Sequence, residues 1–396
     1  MSYLSLEKIR EDTAGCSNKI FLNSAGSSLM PKVVVESMIT YLRQEEEIGG
    51  YDLAKKEKGP IENLYKEVAK LLNSQVKNIA FTYNATDAYS RALSSIPFKS
   101  GDYILTTDDD YASNQISFLG LQKRFGILIA RGKNLPNGDL DLNDFESQIK
   151  QIKPALIAVT HIPTNSGMIQ PVVEIGELCK KFGIWYLLDA CQSIGQIGVD
   201  VQKIGCDFLS ATGRKFLRGP RGTGLLFLSD RVIHEGLEPL MMDLHGAEWI
   251  GFDHYKAEMN AKRFEFWEFS YTSLIGLSAA IHYANNIGIE NIENYNFKLM
   301  HLLRSELSKN SSLRILDKGS RQSSLLTFDI PGKSIEKLEY ELKSNKVYYS
   351  ISTKNAALID FTKKGIEYAI RLSPHYFNSL EEMQKVSEIL EDISKT

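Results

Sequence analysis

Three blocks of the chain decide its fold: Leu187-Leu188-Asp189-Ala190-Cys191-Gln192-Ser193, Phe208-Leu209-Ser210-Ala211-Thr212-Gly213-Arg214-Lys215 and Gly219-Pro220-Arg221-Gly222-Thr223-Gly224. The first two begin as short apolar runs and end on polar or charged residues. The third is a glycine-rich turn that opens another apolar run, 225–228. Runs this short and this continuously apolar are strands buried on both faces, as in a parallel sheet clad by helices.

Working outward, the same texture extends from about 78 to 229. Apolar runs at 104–106, 155–159 and 185–188 follow turn signals, and periodic segments such as 173–182 lie between them. Strand and helix in alternation imply an α/β architecture with a largely parallel sheet. Ligands in such sheets sit beyond the carboxyl ends of the strands, which directs attention to the residues after each run. The texture changes over 241–262, a mixed aromatic, histidine and charged stretch without a period. Beyond it, helices are expected over 273–285, 292–307 and 380–393, with strands over 324–329 and 347–351, forming a smaller α+β domain. The large domain is placed at 21–260, and the small one at 1–20 together with 261–396.

Composition narrows the functional classes. The 396 residues carry 46 Lys+Arg against 49 Asp+Glu, a net charge of −3, with 43 % hydrophobic residues. These values suit a globular chain with a substantial core and argue against a nucleic-acid or anionic-membrane binder, which would carry a strongly basic face. No apolar run reaches membrane-spanning length and no export signal is expected. Cys16, Cys179, Cys191 and Cys206 form no C-x-x-C pair, so neither a metal site nor a disulfide framework is expected, and a cytoplasmic setting fits.

Singly, Asp189 reads as a helix cap and Lys215 as a surface charge. Together, an acid at one strand end and a lysine in a small-residue loop one unit later are what a pyridoxal phosphate site needs. The lysine would hold the cofactor aldehyde as a Schiff base, and the acid would keep the pyridine nitrogen protonated. A Walker-type phosphate loop is excluded by order, because there the glycines precede the lysine and open a helix.

On these blocks the chain resembles the class V aminotransferases, fold type I pyridoxal-phosphate enzymes that include cysteine desulfurases, kynureninases, isopenicillin N epimerases and the C–S lyase of ergothioneine biosynthesis. The resemblance covers about 21–377. It implies a large domain with a mainly parallel seven-stranded sheet, a smaller α+β C-terminal domain, and a homodimer. It makes Lys215 the catalytic lysine, Asp189 the pyridinium partner and Gln192 the residue that meets the phenolic oxygen. Thr86, with the backbone of Ala85 and Asp87, matches the phosphate cradle at a helix start. Thr212 matches a second phosphate hydroxyl, and Arg214 stands where desulfurases commonly carry histidine. Thr164 falls near the cofactor, and Arg371 matches the grip on the substrate α-carboxylate. Ala25 and Tyr51, within 23–27 and 47–51, resemble segments that reach the substrate pocket.

Two departures shape the expectation. Ala112 occupies the place of a ring-stacking histidine, leaving Tyr111 as the nearest aromatic. The stretch 347–361 lacks the cysteine on which desulfurases carry sulfur as a persulfide. The resulting expectation is a pyridoxal 5'-phosphate enzyme that binds an L-α-amino acid as an aldimine of Lys215 and removes its α-proton. The resemblance favours an aminotransferase, with a C–S β-lyase as the alternative and an epimerase behind both. Persulfide-forming desulfurase chemistry is excluded on this reading, and a non-catalytic pyridoxal-phosphate protein is the rival from another class.

Overall fold

A computed structural model describes residues 5–395; the remaining five, at the two outer limits of the expected small domain, lie outside the described residues. The central sheet has seven strands: β1 (Ile79–Thr82), β2 (Tyr103–Thr106), β3 (Leu128–Arg131), β4 (Leu156–Thr160), β5 (Trp185–Asp189), β6 (Phe208–Thr212) and β7 (Gly224–Leu228), in the order β1-β7-β6-β5-β4-β2-β3. All neighbours are parallel except β7, which runs against both β1 and β6.

The continuous apolar runs are explained by the two cores. Ile157, Val159, Leu188 and Leu209 face one core, whereas Leu156, Ala158, Leu187 and Phe208 face the other. Successive side chains of a strand point to opposite faces, so a sheet with helices on both sides needs no polar alternation. Helix α1 (Ala85–Ser95) and helix α2 (Ala112–Phe125) lie on the second side, through Ala88, Ala92 and Phe118.

The carboxyl ends of β4, β5 and β6 bring Thr160, Asp189 and Thr212 to one edge of the sheet. Because β7 is antiparallel, its first residue, Gly224, arrives at that same edge opposite Thr82. A Cβ on Gly224 would lie 2.6 Å from the Asn84 carbonyl carbon, so the glycine is what lets the β7 backbone pass beneath the start of α1.

The second sheet is antiparallel: β8 (Arg314–Ile315), β9 (Leu326–Asp329), β10 (Ser350–Thr353) and β11 (Tyr368–Leu372), in the order β8-β9-β11-β10. It packs its own core against α4 (Ile289–Leu307) and α5 (Leu380–Lys395), with Ile20 and Leu22 joining from the other end of the chain. Residues 261–287, assigned to the small domain on sequence grounds, serve the large sheet instead. Ala261 and Phe264 sit in one of its cores, and α3 (Tyr271–Ile287) sends Leu274, Leu277 and Ile281 into the other. The aperiodic stretch 241–262 contains an antiparallel hairpin, Ala247–Gly251 with His254–Ala257, whose Trp249, Ile250 and Phe252 are exposed. No helix among the described residues is long and apolar enough to cross a membrane.

Candidate active site

The strand ends and α1 enclose a cavity of about 300 Å³. Lys215 reaches it from the loop after β6, Asp189 from the end of β5, and Gln192 from the turn that follows. Ala85, Thr86 and Thr212 line one end together with Arg214, while Thr164 and Tyr111 border the cavity near the lysine. The lysine loop is closed from behind: Gly195, at φ +88°, lies where a Cβ would meet the Phe216 carbonyl carbon at 2.6 Å. His375 donates or accepts through Nε2 at 2.8 Å from the Phe216 oxygen. A carbonyl can only accept, so Nε2 donates; with Nδ1 facing the Asn296 amide nitrogen at 3.2 Å, and with burial disfavouring its charge, the ring is neutral.

Lys215 is buried, and desolvation lowers its proton affinity; Arg214 and Arg371 push the same way, against Cys191 and Asp189. Such a lysine more readily gives up its proton to become a nucleophile or base. Its Nζ lies 6.0 Å from the Tyr111 ring centroid. Asp189 is fixed on both oxygens: Oδ1 accepts from the Cys191 N–H at 2.9 Å, and Oδ2 from Asn114 Nδ2 at 3.1 Å.

At the other end, Asn84 caps α1 and its Oδ1 accepts from the Asp87 N–H at 3.0 Å. Among the described residues the N–H groups of Ala85 and Thr86 have no acceptor, as expected of a helix start. With the helix dipole they favour an anion, and Arg214 and Arg221 add charge on the same wall.

Arg371, on β11, stands behind Thr164, donating to its Oγ1 at 2.5 Å and to its carbonyl at 3.1 Å. No ion pair to it is formed among the described residues, its Nε has no partner, and burial, with Arg214, pulls its proton affinity down to about 10. A buried, unpaired guanidinium is costly, and its fork geometry matches a carboxylate.

Four expected site residues do not line the cavity: Arg371, held behind Thr164, and the three that follow. Tyr51, on Gly50–Lys56, is 72 % exposed and does not border the cavity. The Asp87 N–H is consumed by Asn84, and its carboxylate pairs with Arg91 at 2.7 Å. Ala25 is buried off the cavity, where its carbonyl accepts from Gln192 Nε2 at 3.1 Å. Conversely, Asn84, Asn114, Thr160, Cys191 and Arg221 line the cavity without having been assigned a role. The signal for Asn114 was its place four residues after Asp110, on one face of a helix start.

Residues 20–386 match the family model for class-V aminotransferases. The chain belongs to that family. It is 31 % identical to a probable cysteine desulfurase of Pyrococcus abyssi, across 98 % of each chain. Its fold superimposes on the apo cysteine desulfurase of Thermococcus onnurineus NA1 with a TM-score of 0.90 and 28 % identity, across 98 % of each chain. It also matches a C-DES mutant with glycine covalently linked to its PLP cofactor, at a TM-score of 0.86 and 21 % identity, over 97 % of this chain and 99 % of that one.

The cofactor is pyridoxal 5'-phosphate, and the cavity fits it. Asp189 could face the ring nitrogen as an anion, the α1 start with Thr212, Arg214 and Arg221 could receive the phosphate, and Lys215 lines the same cavity. Gln192 Oε1, buried and without a partner, marks a polar contact the chain itself does not complete.

The relatives correct the functional expectation drawn from the absent cysteine. Chains named cysteine desulfurases match this one from end to end, so excluding persulfide-forming desulfurase chemistry does not stand, and the preference for transamination falls with it. The physical reason is that the thiol that takes the sulfur as the C–S bond breaks need not come from 347–361, so the missing cysteine does not decide the reaction.

Proposed function

We propose that the protein is a pyridoxal-phosphate-dependent cysteine desulfurase, converting L-cysteine and an acceptor thiol into L-alanine and the acceptor persulfide. One observation carries an amino-acid substrate: the buried Arg371 guanidinium, without an ion pair among the described residues, is held against Thr164 of the cavity that Lys215 lines. The names of the relatives support cysteine as that amino acid.

The residues divide the work. Arg371 takes the α-carboxylate in a bidentate grip, and Thr164 keeps the guanidinium oriented. The cofactor, when bound, supplies an electron sink for the substrate carbons. Lys215, deprotonated more easily because it is buried among cations, takes the proton from Cα and can return one to the product. Asp189, locked by Asn114 and the Cys191 N–H, keeps a proton on the ring nitrogen. Arg214, Arg221 and the α1 start anchor the phosphate, so that the ring stays registered against Lys215.

We assign the site to a homodimer. Supporting this, Leu240, Met241, Leu244, Trp249, Ile250 and Phe252 are all exposed, a concentration of large apolar side chains within 240–252 that suits a partner surface. Buried free cysteines Cys16, Cys179 and Cys206 suit a reducing cytoplasm.

The deciding assay supplies pyridoxal phosphate, L-cysteine and excess dithiothreitol. Alanine and sulfide in equal amounts are expected, because the thiol reduces the persulfide. Pyruvate and ammonia in place of alanine, or turnover only with a 2-keto acid, would refute the reading.

A further inference from the structure

Behind Asp189 lies a second buried carboxylate that the reaction outlined above does not use. Asp110, at the end of the loop from β2 to α2, is 5 % exposed, and Asp189 is 4 % exposed. A single side-chain amide joins them: Asn114 Nδ2 donates to Asp110 Oδ1 at 2.9 Å and to Asp189 Oδ2 at 3.1 Å. One amide nitrogen has two hydrogens, so the bridge uses both.

Asp110 is held by further donors, among them Thr106 Oγ1 of β2 at 3.4 Å from Oδ2. Thr160 Oγ1, on β4, donates to Oδ1 at 2.5 Å, and the Tyr111 N–H does so at 2.7 Å. Gln115 Nε2, on α2, donates to Oδ2 at 2.7 Å, and Gln115 is itself oriented by Arg131 of β3 at 2.6 Å. Thr160 is also the register partner of Asp189 across β4 and β5, so the strand pairing that builds the sheet brings the two acids together.

The charge balance is what demands an explanation. Neither Asp110 nor Asp189 forms an ion pair with Lys, Arg or His among the described residues. Burial pushes the Asp110 carboxyl up; its Thr160, Asn114 and Gln115 donors oppose this without reversing it, and Asp189 adds to the rise. Donors that favour the ionised form, spent at a fully buried site, are worthwhile where a positive charge is to be held nearby.

We infer that Asp110 is a positioning residue for the cofactor: acting through Asn114, it fixes the orientation of Asp189 and lends a second negative charge to keeping the ring nitrogen protonated. Other titratable groups face the pair without supplying that charge. Tyr89 of α1 and Cys191 are both kept neutral, chiefly by burial. Lys215 is on the cavity side, and Arg131 reaches Asp110 only through Gln115.

The inference rests on the cofactor and not on the sulfur chemistry. The test loads the protein with pyridoxal phosphate labelled with nitrogen-15 in the ring and follows the nitrogen signal against pH in wild type, Asp110→Asn and Asn114→Ala. In Asp110→Asn the midpoint for losing the ring proton should fall by about one pH unit or more, the effect of one nearby charge in a partly desolvated site. The dissociation constant for the cofactor should rise roughly ten-fold, the same effect read as an equilibrium. Asn114→Ala, which keeps both carboxylates but cuts the bridge, should move both readouts in the same direction by less.

A purely structural Asp110 would change the melting temperature and leave the nitrogen midpoint in place, and that result would overturn the inference. Should Asp110→Asn fail to fold, Asn114→Ala decides by the same criterion. Wild-type protein that folds but never takes up the cofactor would sink the cofactor assignment, and this inference with it. Normal uptake without desulfuration would count against the proposed activity alone.

Discussion

Replacing Arg371 with methionine should abolish substrate recognition without weakening the fold, a combination that a structural arginine would not give. Arg371 is 5 % exposed, unpaired, and held at a pKa of about 10 by burial and by Arg214. A folded value below the ordinary one, which lies above 12, means that folding penalises the charged form, and the full penalty applies at any pH below about 10. At about 1.4 kcal/mol per pH unit, burying this charge costs on the order of 3 kcal/mol. Against that stand its hydrogen bonds to Thr164, worth roughly 1–3 kcal/mol in all. Methionine has a similar reach and no charge, so the apoprotein should be between unchanged and about 2 kcal/mol more stable. With about 2 cal/mol/K of unfolding entropy per residue, that is a melting temperature from equal to roughly 2 °C higher. The same change removes a bidentate, charge-assisted grip worth about 3–4 kcal/mol, so kcat/KM for L-cysteine should fall by a factor of roughly 10²–10³. Differential scanning calorimetry of the apoprotein and steady-state sulfide release measure the two halves. A melting temperature lowered by more than about 3 °C together with an intact kcat/KM would show that Arg371 is there for the fold.

Further variants probe the rest of the site. Lys215→Ala should fold and bind the cofactor only non-covalently, losing at least about 10²–10⁴ in turnover; borohydride reduction followed by peptide mass analysis should find no fixed cofactor. In wild-type apoprotein, burial lowers the Lys215 proton affinity, so its reactivity towards an aldehyde reagent should rise with pH around a midpoint below the usual lysine value of about 10.4, and a midpoint at or above it would refute that environment. Gly224→Ala drives a methyl to 2.6 Å from Asn84 and should displace the start of α1, raising the apparent Kd for pyridoxal phosphate about ten-fold or more while the melting temperature drops only modestly. Glu265→Ala strips an acceptor shared by Tyr65 Oη at 2.9 Å, the Phe81 N–H at 2.6 Å and His245 at 3.0 Å; a loss of about 2–5 kcal/mol should appear in urea unfolding with an unchanged slope.

The sequence discloses this site unevenly, and distance along the chain explains the pattern. Asp189 ends β5 and Lys215 follows three residues after the end of the adjacent parallel β6, so a reading of apolar runs and what comes after them reaches both. Thr86 and Ala85, in the first turn of the helix after β1, are reached only through the family resemblance. The Asp110–Asn114–Thr160–Asp189 cluster is different. It depends on β4 and β5 pairing with Thr160 opposite Asp189, and on α2 beginning where Asn114 meets both acids. No local pattern contains those two conditions together. Tyr51 shows the opposite error: the neighbouring Gly49 and Gly50 suggest a reach into the site, but Gly49 at φ +80° links two helices and leaves the tyrosine in solvent. The functional misreading has the same origin. The absence of one residue type from 347–361 says little about the reaction as a whole, because the residues proposed to activate the substrate are distributed over β5, the loop after β6, and β11. Their convergence across two sheets is a property of the whole fold, and likeness along the whole chain tracks it better than a single position does.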